Sequence, residues 1–284
     1  MDTQQTDFDI EMNLVLEAIY LKYNYDFRDY SKASMKRRLQ LALTNLNCDS
    51  LSALQLQILR DPEFFTKVLQ YLTIPVSEMF RDPSYFRSFR EKVVPVLKTY
   101  ASLKVWIAGC STGEEVYSFA ILLHEEGLLD RTIIYATDIN AKSLEMAEAG
   151  IYKMADMKKF TVNYQLSGGK AAFSDYYTAG SDGAIFNKSL KRKVIFTDHS
   201  LSTDSVFSET QFVSCRNVLI YFERKLQDRA LGLFHDSLCR KGFLGIGKKE
   251  SIVFSKYGKA FDPIAKDDRI FQKTGKLHGS EDDS

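Results

Sequence analysis

The stretch Val105-Trp-Ile-Ala-Gly-Cys-Ser-Thr-Gly-Glu-Glu115, answered by Ile133-Ile-Tyr-Ala-Thr-Asp138, constrains this chain more than any other. A β-branched and aromatic run from Lys104 to Ala108 stops at Gly109 and passes through small and hydroxylic residues to Gly113. At Val116 it enters an apolar segment of helix length. That order reads as strand, tight turn, helix. A second strand-like run, Arg131 to Thr137, ends in Asp138. Together they form the βαβ geometry in which a glycine turn lets a ligand approach the backbone and a strand-terminal acid reaches a ribose diol.

The turn is not the G-x-G-x-x-G fingerprint of dinucleotide sites. Glu114 and Glu115 follow it in the first turn of the helix, where the helix dipole stabilises negative charge with or without a ligand. Two carboxylates there repel a pyrophosphate and welcome a cation. S-adenosylmethionine, with its sulfonium and amino groups, fits that turn better than a dinucleotide.

A chain of 284 residues can bury one large or two modest domains. The net charge of +1 argues against bulk attraction to nucleic acid or anionic membrane. No apolar run is long enough to span a bilayer, and the acidic, glutamine-containing start does not read as a signal peptide, so a cytoplasmic protein is expected. Cys48, Cys110, Cys215 and Cys239 lie far apart without metal spacing, and only four histidines are present. Reduced thiols and no metal are the expectation.

Read in order, residues before Phe8 are polar and loose. Ile10, Leu14, Val15, Ala18 and Ile19 then recur at helical spacing. Between Ser31 and Leu46, Met35, Leu39, Ala42, Leu43 and Leu46 share a face, with Arg37 opposite and Lys36 and Arg38 on the flanks. Composition alone makes this a solvated face. Asp49 or Ser50 caps a third helix and Asp61-Pro62 opens a fourth; Asp82-Pro83 repeats the device. Pro75 interrupts the chain between them. Asn140 caps a helix that Gly150 ends. Residues 166–192 read as a small antiparallel β excursion, Lys193 to Phe196 and Gln211 to Ser214 as buried parallel strands, and Glu223 to Arg240 as a helix. Phe243 to Ile246, Ile252 to Phe254 and Arg269 to Phe271 complete the sheet.

Several separated motifs resemble one family, the chemotaxis receptor methyltransferases of the CheR type. They are Val76-Ser-Glu-Met-Phe-Arg-Asp82, Trp106 through Glu115 with Tyr117-Ser118, Ala136-Thr-Asp-Ile139, Gly150-Ile-Tyr152 and Cys215-Arg-Asn-Val-Leu-Ile-Tyr-Phe222. The resemblance implies an α/β chain: a small all-helical N-terminal domain (1–73), a connector and helix (74–103), and a doubly wound Rossmann-like S-adenosylmethionine methyltransferase sheet (104–275). A small antiparallel β-subdomain is inserted at about 166–192, and a disordered tail (276–284) follows. The implied activity is methyl transfer to glutamate carboxylates on the cytoplasmic helices of a methyl-accepting chemoreceptor, by a monomer, without nucleic acid or membrane insertion.

By position, the resemblance gives Glu115 the amino group and Asp138 the ribose of the cofactor, and sets Arg81 beside cofactor and substrate. Arg216 and Asn217 border the cofactor, with Ser77, Gly109, Ser200 and Leu201 as further contacts. Tyr221 lines the reacting site, and Lys36, Arg37 and Arg38 serve receptor recognition. The chain departs from the family pattern at Pro75-Val76-Ser77, at Ser200 where asparagine is usual, and at Lys248-Lys249 before Glu250. The rival readings are a non-catalytic cofactor-binding or receptor-docking signalling module, and a methyltransferase with a different acceptor.

Overall fold

The computed structural model describes residues 6–73, 77–181 and 183–274. Pro75 and the 276–284 tail lie outside the described residues. Four helices come first: α1 (Asp7–Tyr23), α2 (Lys32–Asn45), α3 (Leu51–Arg60) and α4 (Pro62–Leu72). Thr6, expected to be loose, caps α1 in a reciprocal pair with Asp9, and Ser50 and Asp61 cap α3 and α4 through their side chains. The stripe that α1 buries is Met12, Val15, Leu16, Ala18 and Ile19, whereas Ile10 and Leu14 face outward.

Next, α5 (Pro83–Ser88) passes through a π-helical turn at Phe89–Val93 into α6 (Val94–Leu97), where Pro95 has no N–H for the helical ladder. The expected Asp82 cap is not made. Asp82 has φ +58° and no side-chain capping bond, because its carboxylate is taken by Arg216.

The βαβ unit is β1 (Leu103–Ala108), α7 (Glu114–Glu125) and β2 (Thr132–Asp138). After α8 (Ala141–Ala149) come β3 (Ile151–Tyr152), α9 (Met154–Leu166), β4 (Tyr177–Gly180) and β5 (Gly183–Phe186), and the three strands form a small antiparallel sheet in the order β3-β5-β4. This excursion therefore draws its first strand from before residue 166 and encloses a helix. The chain returns through β6 (Val194–Asp198), β7 (Thr210–Cys215), α10 (Arg224–Ser237), β8 (Leu238–Ile246), β9 (Phe261–Ala265) and β10 (Ile270–Lys273).

The large sheet has the order β6-β2-β1-β7-β8-β10-β9, parallel from β6 through β8, with β10 antiparallel to both its neighbours. Several expectations are corrected here. β6 is an edge strand with Ile195 45% exposed, not a buried one. α10 stops at Ser237, since Leu238 to Arg240 already belong to β8. Ile252 to Phe254 form a turn with Val253 and Phe254 exposed, and the missing strand is β9, where Pro263 sits on the outer edge.

Alternate residues of β1 point to opposite faces. Val105 and Ile107 join α5, α7 and the small sheet, while Trp106 and Ala108 join α10 and the four N-terminal helices. The helical unit thus shares one apolar core with the sheet. Tyr30 bridges to Phe222, and the Ser31 amide donates to the Tyr221 carbonyl at 2.8 Å. No helix among the described residues is long and apolar enough to cross a membrane.

Candidate active site

Strand order reverses between β1 and β7, so the loops at their carboxyl ends part and leave a crevice. The helical unit covers it through Tyr30, Arg38 and Thr73, and the cavity also includes Ser77, Arg81, Gly109, Glu115, Asp138, Leu201, Arg216, Asn217 and Tyr221. Ser200 does not line it. Its amide donates to Asp204 and its hydroxyl pairs with Ser202, while its neighbours His199 and Leu201 form the wall. Lys36 pairs with Asp9 at 3.4 Å and Arg37 is exposed, so α2 sends only Arg38 into the cavity.

The floor is the turn after β1. Gly109 has φ +74°, and a Cβ there would lie 2.5 Å from Val218 Cγ2. Both conditions require glycine. The amides of Gly109 and Cys110 donate to the Thr137 carbonyl, and the side-chain hydroxyl of Thr137 accepts from the Trp106 indole at 2.9 Å. These bonds lock the ends of β1 and β2 together and aim Asp138. Its Oδ2 accepts from the Ser111 amide at 2.8 Å and its Oδ1 from the Asn140 amide at 2.9 Å. Burial pushes this carboxyl upward in pKa, and the amides of Asn140, Ser111 and Ile139 oppose that. Asn140 also caps α8, so Asp138 is free of helix duty.

The acid pair at the start of α7 divides its work. Glu114 is buried and takes the Thr112 hydroxyl, with burial raising its pKa, whereas Glu115 lines the cavity. Glu115 Oε1 accepts from Ser214 Oγ at 2.6 Å and Oε2 from Arg216 Nη1 at 2.9 Å. The other arm of Arg216 donates to the Arg81 carbonyl at 2.7 Å and to Asp82 at 2.9 Å, with the guanidinium over the Tyr85 ring at 4.1 Å. Burial disfavours the Arg216 charge, but Glu115, Tyr85 and Asp82 outweigh it and raise its pKa. Arg216, with a side chain 1% exposed, is therefore a strut beneath the cleft as well as part of its wall.

What the strut supports is Arg81. Its neighbours Phe80 and Asp82 both have left-handed backbone, φ +51° and +58°, costing about 1–2 kcal/mol each. The surroundings enforce that geometry. Phe80 is fully buried against Phe86 and Tyr164, and its amide donates to Ser118 Oγ at 2.8 Å. Flanked by two anchored residues, the Arg81 side chain lines the cavity and makes no hydrogen bond or ion pair among the described residues.

The β7 turn is held from below by Glu250, which accepts from the amides of Asn217 (3.0 Å) and Ile220 (3.2 Å). Burial raises the Glu250 pKa against the pull of those amides. Sequence reasoning gave Glu250 no such part, because the amides it holds, Asn217 and Ile220, lie 33 and 30 residues earlier in the chain. Cys110 and Cys215 are buried, which pushes their thiols well up.

A strand-end acid with amide-fixed oxygens, a glycine floor and a single acid at the helix start suit a nucleoside carrying a cationic tail. Among the described residues no lysine lines the cavity, and the amides of Gly109, Cys110 and Ser111 are already taken by Thr137 and Asp138, so the turn is not set for a pyrophosphate. Fold and cleft define an S-adenosylmethionine-dependent methyltransferase. Residues 75–267 match the family described as CheR methyltransferase, SAM binding domain, and residues 10–73 match CheR methyltransferase, all-alpha domain. The chain belongs to the CheR methyltransferase family, and its cofactor is S-adenosylmethionine. It is 62% identical to a Pseudomonas putida protein that carries the methyltransferase designation Cher3, over 96% of this chain and 100% of that one. A chemotaxis protein methyltransferase of Listeria innocua is 29% identical over 80% of this chain and 85% of its own. The Pseudomonas aeruginosa protein designated biofilm formation methyltransferase WspC is 27% identical over 67% of this chain and 45% of its own.

Proposed function

We propose that this chain moves the methyl group of S-adenosylmethionine onto glutamate carboxylates in the cytoplasmic helices of a chemoreceptor-like protein, giving glutamate methyl esters. One observation carries the reading: Arg81 lines the cleft with a side chain that makes no hydrogen bond or ion pair among the described residues, on a backbone held between the left-handed Phe80 and Asp82. The bound cofactor supplies an electrophilic methyl on a sulfonium. A glutamate is already ionised near neutral pH, so the acceptor needs no strong base. Glu115 and Asp138 are held by protein donors and are better suited to gripping the cofactor.

The task left to the protein is alignment, worth at best about 7–11 kcal/mol. Asp138 receives the ribose hydroxyls, Glu115 the amino group, and Gly109 the close approach of the ligand to the backbone. Arg81 orients the incoming carboxylate with its planar fork, and Tyr221 closes the wall beside it. A bidentate clamp would stabilise the ground state and slow transfer, so the contact is one-sided. Outside the cavity, a groove lined by Arg37, Gln40, Leu41 and Tyr71 runs up to Arg38 and Thr73, which also line the cavity. It offers a path for a receptor helix to reach Arg81. The name of the Listeria relative, a chemotaxis protein methyltransferase, supports this acceptor.

The test is incubation of the purified protein with methyl-labelled S-adenosylmethionine and receptor cytoplasmic helices. The reading requires label that is released as methanol by mild base. Base-stable label points to another acceptor, and no label with intact cofactor binding points to a non-catalytic module.

A further inference from the structure

A second cleft opens on the outer side of the turn after β7. That turn gives Asn217 and Tyr221 to the catalytic cavity and Leu219 and Ile220 to the cleft, which the start of α10 and residues 249–251 and 254–255 also line. The proposed chemistry makes no use of it.

Its rim is apolar where water reaches it freely. Phe254 is 72% exposed, its neighbour Val253 69% and Ile220 39%. Ile252 of the same segment is buried and anchors it, so the core does not need the two residues that follow. Single exposed apolar residues are ordinary, but three gathered at one cleft mark a surface completed by contact.

The charge there is positive. Residues 248–259 carry four lysines and one acid, Glu250, whose carboxylate is occupied by the amides of Asn217, Ile220 and Gly247. Arg224 and Lys249 line the cleft, are exposed and make no ion pair among the described residues. Arg224 stands over the Phe254 ring at 5.7 Å, so cationic and apolar groups face the same space. Asp228 is the other carboxylate in the lining, and it leaves the balance positive.

Two kinds of partner fit such a surface poorly. A second copy of this chain, meeting it about a twofold axis, would bring Arg224 and Lys249 toward their own images. A bilayer surface would touch Phe254 and leave the cleft behind it unfilled. An acidic protein segment with an apolar side chain answers both features.

We propose that this cleft docks the acceptor protein beside the reacting glutamate, with Phe254 and Ile220 taking an apolar side chain and Arg224 and Lys249 meeting flanking acids. This rests on the receptor acceptor proposed above. Residues 217–222 wall both spaces, so a segment that delivers a carboxylate past Tyr221 meets Ile220 on the other side of the same turn.

Methyl transfer to receptor cytoplasmic helices by wild type, Phe254→Ser, Lys249→Glu and Arg224→Glu tests it. All three side chains are exposed, so melting temperature and S-adenosylhomocysteine affinity should stay as in wild type. Phe254→Ser should raise the KM for the helices about tenfold or more and leave kcat within about twofold, the signature of lost docking. Each charge reversal should raise KM about threefold or more, and the wild-type KM should climb with salt more steeply than that of Lys249→Glu. Unchanged KM in all three variants, with wild type methylating the helices, overturns the docking site alone. Unchanged KM together with loss, in Phe254→Ser, of binding to anionic phospholipid vesicles or of a concentration-dependent dimer gives the surface to a membrane or to a second copy and overturns it too. Wild type that binds S-adenosylhomocysteine but leaves the helices unlabelled removes the acceptor and this inference together.

Discussion

Arg216 Nη1 meets Glu115 Oε2 at 2.9 Å while its Nη2 reaches the Arg81 carbonyl at 2.7 Å, so one buried guanidinium ties the cavity-lining acid of α7 to the backbone of the cavity-lining Arg81. Removing it strands two carboxylates and frees a strained turn. Arg216→Met should cost about 3–5 kcal/mol of stability, read from the urea midpoint. Glu115→Gln keeps one acceptor oxygen for Arg216, and its amide NH2 can donate to the Ser214 hydroxyl, so it should cost much less stability while weakening cofactor binding. Equal destabilisation by the two variants contradicts the strut.

Gly109→Ala tests the floor. The left-handed backbone costs about 1–2 kcal/mol, and the clash with Val218 adds a term that Val218→Ala relieves. The double variant should therefore recover part of the stability lost by the single, which paired thermal melts can show.

For Arg81, the side chain has no hydrogen-bond or ion-pair partner to lose among the described residues. Arg81→Ala should leave the melting temperature and S-adenosylhomocysteine affinity nearly unchanged and reduce methyl transfer by at least about a hundredfold, of the order of other positioning losses. Arg81→Lys should rescue little, since an ammonium lacks the fork. Full activity of either variant contradicts the role.

Far from the cleft, Glu126 gives a pH signature. Burial works against its charge, but Lys170, Lys98 and Arg90 hold its pKa down to about 2, below the ordinary 4.5. A depressed carboxylate stabilises the fold above its unfolded pKa and loses that contribution as pH falls toward its folded one. The wild type should lose stability between about pH 4.5 and 2, and Glu126→Gln should flatten that limb in pH-dependent urea unfolding. An identical acid limb in both proteins contradicts the linkage.

How much of this was legible in the sequence follows the range of the interactions. β1, the Gly109 turn, α7 and Asp138 lie within about three dozen residues and carry turn and period signals of their own, so their order could be read directly. The α10 to β8 boundary carries no proline, and Leu238 is buried whether helical or extended. Only pairing of β8 with β7 settles it. β9 was missed because Pro263 disfavours a strand everywhere except at an edge. The part played by Arg216 depends on Asp82 and Glu115, respectively 134 and 101 residues away, a convergence no local pattern records. Lys36, Arg37 and Arg38 look like one basic face, but the packing of α2 on α4 separates Arg38, which is buried and donates to the Leu72 carbonyl.

The most direct test of the whole account is a crystal structure of the protein soaked with S-adenosylhomocysteine. The ribose hydroxyls should lie on Asp138, the amino group at Glu115, and the sulfur should open toward Arg81. Adenosine bound away from Asp138, or a sulfur facing away from Arg81, would contradict it.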